Sequence, residues 1–359
     1  MNAPPRRILT GALALSLTLP LAACGSEQPK APSGNRSIGL LLPDRAARYD
    51  DFDRRIMASK IGARCLECKI EYRNAQGDVE TQRRQFEEMV RDGVRVVVLD
   101  AVDARAAGPW VDAAAKKGVK VVAYDRLAEG AIAAYVSYDN EKIGKLQAEG
   151  LVTALGARAA TARVVMLNGS PSDPNAVAFK KGAHAVLDRK VDRIVYEKDI
   201  PGWSVPLARK KITEAVNTLG PTGFDAVYAA NDGMAGAAAD VLEAAGAHRI
   251  PLGGQDAELA ALQRLVKGVQ AFTVYKEVRP EAQTAGEIAV NLLQGKSIGS
   301  LTPATVDSTS HSHIPAKLFN ARLVTRKNMA DTVIRDGAVR ADLICTKDLA
   351  ADCAALGLD

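Results

Sequence analysis

Aromatic side chains are scarce in this sequence: two Trp, eight Tyr and six Phe make up 4% of 359 residues. With so few, and with basic residues scattered rather than blocked, neither a nucleic-acid-binding stripe nor an amphipathic membrane helix stands out. Histidine is scarcer still. None of the four has a Ser or Cys nucleophile in a catalytic setting, and Ser170 in "LNGSPSD" lacks the spacing of a nucleophile elbow. "QGKS" around Lys296 fails as a phosphate loop, because position 290 is Val where the first Gly is required. His311 and His313 in "HSHI" would share a metal if both pointed to one face of a strand. Two ligands without a carboxylate or Cys nearby in sequence more often mark a polar surface strand, so neither a metal nor a cofactor is expected.

What is present begins with a segment unlike the rest. Arg6 and Arg7 precede an apolar run from Ile8 to Ala23, and "LAAC" ends at Cys24, the layout of a secretory signal over residues 1–23. Its loss takes two of the 47 basic residues and no acid, leaving 45 against 42 and a net charge of +3. Residues 24–36, with "GSEQPKAPSGN", are too polar and too rich in Gly, Pro and Ser to fold, and read as a tether. Beyond Cys24 there are four cysteines, Cys65, Cys68, Cys345 and Cys353. In an exported chain an even number suggests disulfides. Of three pairings the local ones, Cys65 with Cys68 and Cys345 with Cys353, are expected, since a core of this size needs no long staple. A four-Cys zinc site and a thioredoxin-like role for "CLEC" are the alternatives.

From residue 37 short apolar runs alternate with amphipathic stretches: "SIGLLLPD", "VRVVVLDA", "KVVAYDR", then "ARVVMLNGS", "FDAVYAAND" and "QAFTVYKE", with helical patterns such as "DVETQRRQFEEMVRDG" between them. Strands separated by helices predict parallel sheets covered on both faces, an α/β chain. A break near Asp139 and Asn140 divides the units into two doubly wound lobes, although a barrel of eight units also fits the count. Strand after strand ends in polar groups: Asp44 and Arg45, Asp125 and Arg126, Asn231 and Asp232, Asp256, Lys276. Any one of these is explained by water or a helix cap. Their recurrence in both halves points to a ligand crevice beyond the carboxyl ends of the strands. Mixed Asp, Asn, Arg and Lys suits a neutral polyol, whose hydroxyls donate to carboxylates and accept from cations, better than an ion of either sign. Trp203 and Tyr49 are the aromatic faces on which sugar C–H groups would pack.

"AYDR", "YVSYDNEKIGKLQAEGLV", "GSPSDPNA", "AANDGMAGAA", "GGQDAELAALQRLVKGVQAFTVYKE" and "NMADTVIRDG" together resemble the xylose-binding members of the periplasmic pentose- and hexose-binding proteins of sugar importers, from about residue 37 to 337. "LAAC" resembles a bacterial lipobox, implying lipidation of Cys24 and anchoring on the outer face of the membrane. The likeness implies the type I periplasmic-binding fold, two lobes joined by a three-strand hinge, and disfavours the barrel. The expected lobes are 37–138 with 276–306, and 139–275 with 307–337, followed by an extension over 338–359 that adds a stapled surface segment. First-lobe ligand contacts would be Arg48, Tyr49 (where the family commonly has Trp), Asp125 and Arg126. The second lobe would supply Asp173 or Asn175, Trp203, Asn231, Asp256 and Lys276, with Asp232 capping the following helix. The implied protein is a monomer, not an enzyme, that delivers D-xylose or a related monosaccharide to an ABC permease. A sugar sensor for a membrane kinase or chemoreceptor and a secreted glycosidase are the other readings.

Overall fold

The computed structural model describes residues 36–44, 48–247 and 250–358, together with Met1. The expected signal segment, Cys24, all of the tether except Arg36, and Arg45 lie outside the described residues. Residues 35–359 form one compact unit, and every hydrophobic core described below lies within it.

The chain opens with β1 (Ser37–Leu42), α1 (Arg54–Arg64), β2 (Lys69–Asn74), α2 (Val79–Arg91), β3 (Val96–Leu99), α3 (Ala104–Lys116), β4 (Lys120–Tyr124) and β5 (Ala134–Tyr138). It continues through α4 (Asn140–Leu155), β6 (Arg163–Asn168), α5 (Pro174–Lys190), β7 (Arg193–Asp199), α6 (Val205–Leu219), β8 (Ala226–Ala229), α7 (Asp232–Ala244), β9 (Leu252–Gln255), α8 (Leu259–Lys267) and β10 (Phe272–Tyr275). The last elements are α9 (Val278–Leu293), β11 (Ala304–Val306), β12 (Ile314–Phe319), β13 (Arg322–Val324), α10 (Ala341–Ile344) and α11 (Ala350–Ala355).

Seven strands form the first sheet in the order β11-β12-β5-β4-β3-β1-β2, and six form the second in the order β13-β10-β9-β8-β6-β7. All pairs are parallel except β11 with β12 and β10 with β13. The apolar runs are explained by burial on both faces. Val97 and Leu99 enter a core with Phe86, Met89 and Trp110 of α2 and α3, whereas Val96 and Val98 enter another with Met57, Ile61 and the α9 residues Ala285 and Ile288. Each fully buried Val or Leu stabilises the fold by about 1.5–3 kcal/mol.

The expected assignment of residues 307–337 to the second lobe needs correction. β12 pairs with β5 through Ala316 and Tyr135 and therefore completes the first sheet; only β13, beside β10, joins the second. The chain thus passes between sheets three times, after β5, after β10 and after β12. His311 and His313 lie in the loop between β11 and β12 rather than on a strand, and His311 Nδ1 is 3.1 Å from Ser310 Oγ. The local disulfides Cys65–Cys68 and Cys345–Cys353 are both formed. The C-terminal extension is more than a surface segment: Ile344, Leu349, Cys353 and Leu358 share a core with Leu262, Leu265 and Val266 of α8.

Candidate functional site

β4 ends at Tyr124, and the backbone turns through Asp125 with φ of 56°, a left-handed conformation that costs a non-glycine residue about 1–2 kcal/mol. The surroundings hold it there. Asp125 N donates to Val136 O at 2.9 Å, and the Asp125 carbonyl accepts from Tyr135 Oη at 2.9 Å and Ser137 Oγ at 2.6 Å. Across the lobes, Asn175 Nδ2 donates to the same carbonyl at 3.1 Å and to Asp125 Oδ1 at 3.3 Å. Tyr49 Oη donates to Asp125 Oδ2 at 3.4 Å, and Arg48 Nη1 lies 3.6 Å from that oxygen.

Arg48 and Tyr49 ride on a π-helical turn, Arg48–Asp53, ahead of α1. Arg48 Nη2 donates to Glu281 Oε2 at 2.8 Å and Nε to Asp53 Oδ1 at 3.4 Å; both carboxylates are fully buried. Burial pushes the Asp53 and Glu281 carboxyls above their usual range, with Arg48 pulling the other way. Arg126 occupies a similar seat. Its Nη1 donates to Ala101 O at 3.0 Å, and its Nε pairs with Asp173 Oδ2 at 2.8 Å and Asp100 Oδ1 at 3.7 Å. The Asp173 contact is an ion pair without hydrogen-bond alignment. Asp100 is itself placed by α2, where buried Gln82 holds Asp100 O and Val102 N, each at 2.8 Å.

In the second lobe two site residues are also helix caps. Asp173 Oδ1 accepts from Asn175 N at 2.8 Å to start α5, and Asn231 Oδ1 accepts from Met234 N at 2.9 Å to start α7. Trp203, at φ of 55°, donates from Nε1 to Asp173 Oδ2 at 3.1 Å. Its ring lies where a side chain on Gly169 would stand. Asp256, at φ of 99°, pairs through Oδ1 with Lys276 Nζ at 2.9 Å. Among the described residues six non-glycine positions have positive φ, and four of them, Asp125, Trp203, Asp256 and Ala257, line the same space. Such concentration of backbone strain is a mark of function.

That space is a cavity of about 950 Å³, near the top of the roughly 300–1,000 Å³ range for small-molecule sites. All ten residues singled out from the sequence line it: Arg48, Tyr49, Asp125 and Arg126 from one side, and Asp173, Asn175, Trp203, Asn231, Asp256 and Lys276 from the other. Asp232 does neither of the things expected of it. It is fully buried, and its carboxylate accepts from Glu258 N, Gln270 Nε2 and Thr273 Oγ1, tying α7 to the strands beneath, while Asn231 does the capping.

Sequence reasoning missed Phe179, which lines the cavity with Lys276 Nζ 5.7 Å from its ring centre, and Gln255, whose buried Oε1 has no hydrogen-bond partner among the described residues. It also missed the layer behind the site, Asp53, Asp100 and Glu281. One signal was available: Glu281 stands on the apolar stripe of α9 with Ala285 and Ile288, where a carboxylate is placed only against a partner.

Among these ten, three cations, Arg48, Arg126 and Lys276, face three carboxylates, Asp125, Asp173 and Asp256, and the rest of the wall adds Asp44, Glu258, Glu277 and Asp336 with Arg279 and Arg340. Carboxylates, amides and cations interleaved in this inner set supply both acceptors and fixed donors, an environment for a neutral molecule rich in hydroxyls. Burial alone would raise the Asp125 carboxyl, but Arg48, Lys276 and Arg126 outweigh it and hold it below the usual range. A depressed folded value means that its contribution is complete above the ordinary Asp value of about 4 and is lost as pH falls through the lower one. Asp125 is therefore expected to add no pH dependence to ligand affinity from neutral pH down to about 5, whereas Glu258 in the same lining, pushed up to about 7 by burial and by Asp256, titrates within that range. A loss between pH 7 and 5 that persists in calorimetric titrations of a Glu258→Gln variant would count against an Asp125 held ionised.

The description "periplasmic binding protein domain" fits residues 38–297, where that family's sequence model matches. The D-xylose-binding periplasmic protein of Escherichia coli (strain K12) is 36% identical over 309 residues, covering 84% of this chain and 90% of that one. Its counterpart in Haemophilus influenzae is 35% identical over 315 residues, covering 86% and 91%. A solved carbohydrate transporter solute-binding protein from Chloroflexus aurantiacus, in complex with D-glucose, matches with a TM-score of 0.74 at 25% identity, over 85% of this chain and 97% of that one. The fold, the cleft and these likenesses agree: the chain belongs to the periplasmic binding protein family, in its two-lobed type I form.

Proposed function

We propose that this protein is an extracytoplasmic substrate-binding protein, lipid-anchored through Cys24, that captures a monosaccharide, D-xylose, and hands it unaltered to an ABC transporter permease. The observation that carries the reading is the ring of interleaved carboxylate, amide, cationic and aromatic side chains from both lobes around one cavity. The choice of xylose rests on the 36% and 35% identical relatives. The closing bodies would be residues 37–138 with 277–319, and 139–276 with 320–358. A sugar touching both favours the closed state by its differential contacts, and the permease then distinguishes loaded from empty protein.

A buried hydroxyl or side chain left unpaired costs about 1–3 kcal/mol, so inverting one hydroxyl is expected to weaken binding by about tenfold or more. Calorimetric titration of residues 25–359 with D-xylose, D-glucose, D-ribose, L-arabinose and xylobiose is the direct test. Micromolar or tighter binding of xylose alone supports the full reading; preference for another monosaccharide moves the substrate, and silence across the panel removes the function. Membrane fractionation of Cys24→Ser tests the anchor separately: release into the soluble fraction is expected, and retention refutes lipidation.

A further inference from the structure

At the end of the first sheet opposite the cleft, backbone hydrogen bonds set four basic residues in a row. Lys69 N donates to Arg36 O at 2.9 Å, Arg95 N to Ser37 O at 3.1 Å, and Lys120 N to Arg95 O at 3.0 Å, so Lys69, Arg36, Arg95 and Lys120 stand at the starts of β2, β1, β3 and β4. The short loops entering β2, β3 and β4 add the helix-terminal Arg64, Arg91, Lys116 and Lys117. Scattered through the sequence, these eight cations are gathered by the fold onto one face, and all eight are exposed. The same stretches, residues 64–69, 91–95 and 116–120 with Arg36, carry only two acids, Glu67 paired with Arg36 and Asp92 with Arg91, while Glu287 of α9 pairs with Arg64; the other five of the eight cations have no acid partner among the described residues.

Helix dipoles account for basic residues in the last turns of α1 to α3. They do not account for Lys69, Arg95 and Lys120 in register at strand starts, for which no carboxylate partner is present among the described residues. The second lobe provides an internal comparison. At the matching end of its sheet Arg163 pairs with Asp225 and Arg193 with Asp192, each at 3.3 Å, whereas in the first-lobe row only Arg36 is paired, with Glu67. Beside the basic row, the Cys65–Cys68 disulfide staples a loop whose Leu66 is 93% exposed. An apolar tip beside a row of cations is the combination that adsorbs to anionic lipid, the tip entering the interface and the cations meeting headgroups.

We infer that this face of the first lobe is a docking surface for an anionic lipid bilayer. It is also where the described chain begins, at Arg36, twelve positions after Cys24. The cleft, at the opposite ends of the strands, then points away from the lipid, so sugar is collected in a parked orientation and delivery requires release. The contact needs neither sugar nor a lipidated Cys24, so it stands or falls independently of the proposed function.

The test is co-sedimentation of residues 25–359, which retain every core and both disulfides, with vesicles of phosphatidylcholine alone or mixed with phosphatidylglycerol. Binding is expected only to the anionic vesicles, and is expected to be lost at about 1 M salt, where the screening length falls to about 3 Å. The combined Lys69→Gln, Arg95→Gln and Lys120→Gln variant is expected to lower the partition coefficient by about a hundredfold, roughly fivefold per residue. Arg163→Gln with Arg193→Gln in the second lobe is expected to leave it unchanged. An unaltered melting midpoint and sugar titration would establish that each variant is folded. Equal binding to neutral vesicles, or full binding by the triple variant, overturns the inference. No sedimentation with anionic vesicles also overturns it and leaves an acidic protein surface as the partner of this face.

Discussion

An Arg126→Ala protein is expected to bind no measurable sugar and to be about 3–5 kcal/mol less stable than the parent, the cost of stranding a buried charge. The guanidinium does two jobs. It lines the cavity, and it is the cation beside Asp173 at 2.8 Å and fully buried Asp100 at 3.7 Å while donating to Ala101 O. From the sequence alone the substitution would be expected to remove binding and spare the fold. The structure changes the second half of that expectation, because burial and Asp125 already push the Asp100 carboxyl up and Arg126 is the main opposing influence. Arg126→Lys separates the roles: the charge stays, but the planar fork that meets two acceptors does not. It is expected to keep most of the stability while losing about tenfold or more in affinity. Urea unfolding and xylose titration of both variants decide the matter; unchanged affinity in Arg126→Ala would remove Arg126 from the site.

Gly144→Ala is expected to cost about 2–3 kcal/mol, at the upper end of ordinary overpacking. α4 and α5 approach so closely that a Cβ on Gly144 would meet the Phe179 carbonyl, and one on Gly182 would meet the Glu141 carbonyl. Both obstacles are backbone, so no side chain can swing aside and the helices must separate. Affinity is expected to fall as well, because Phe179 lines the cavity. The contrasting variant is Gly62→Ala in α1, where nothing lies within 4 Å of the added carbon and the change to a better helix former is expected to stabilise by up to about 1 kcal/mol. Equal denaturation midpoints for the two variants would show that close approach of α4 and α5 is not what Gly144 permits.

Much of this architecture is legible in the sequence because it is local. "VRVVVLDA" reads as a doubly buried strand since alternate valines enter different cores, and the polar tips that follow such strands lie at one cavity. Asp173 and Asn231 show why the capping and binding explanations of a strand-end residue do not compete: one oxygen or face serves the helix while the residue lines the cavity. What was not legible is non-local. The pattern of "IPAKLF" says that β12 is a strand, but nothing near it says that its neighbour is β5, some 180 positions earlier in the chain. Asp232 is paired from β10 and from residues just outside the strands, partners that its own helix does not disclose. Asp53 and Glu281 share Arg48 only because α9 returns to the first lobe after five of the six strands of the second sheet.

That return of the chain has a temporal consequence. A polypeptide that emerges from a ribosome or an export channel amino terminus first delivers β1 to β5 early, yet the first sheet is completed only when β11 and β12, residues 304–319, follow the second sheet out. Until then β5 is an open strand edge, able to pair with any extended segment it meets. The second sheet has a shorter wait, lacking only β13 once β10 has emerged. Assembly is therefore interleaved rather than sequential: most of the second lobe is out before the first can be completed, and the second in turn receives its last strand and the C-terminal segment after β12. For the same reason no cut at a single point yields the complete first lobe by itself, and a fragment ending before Ala304 carries the cleft residues of both sides on an unfinished sheet.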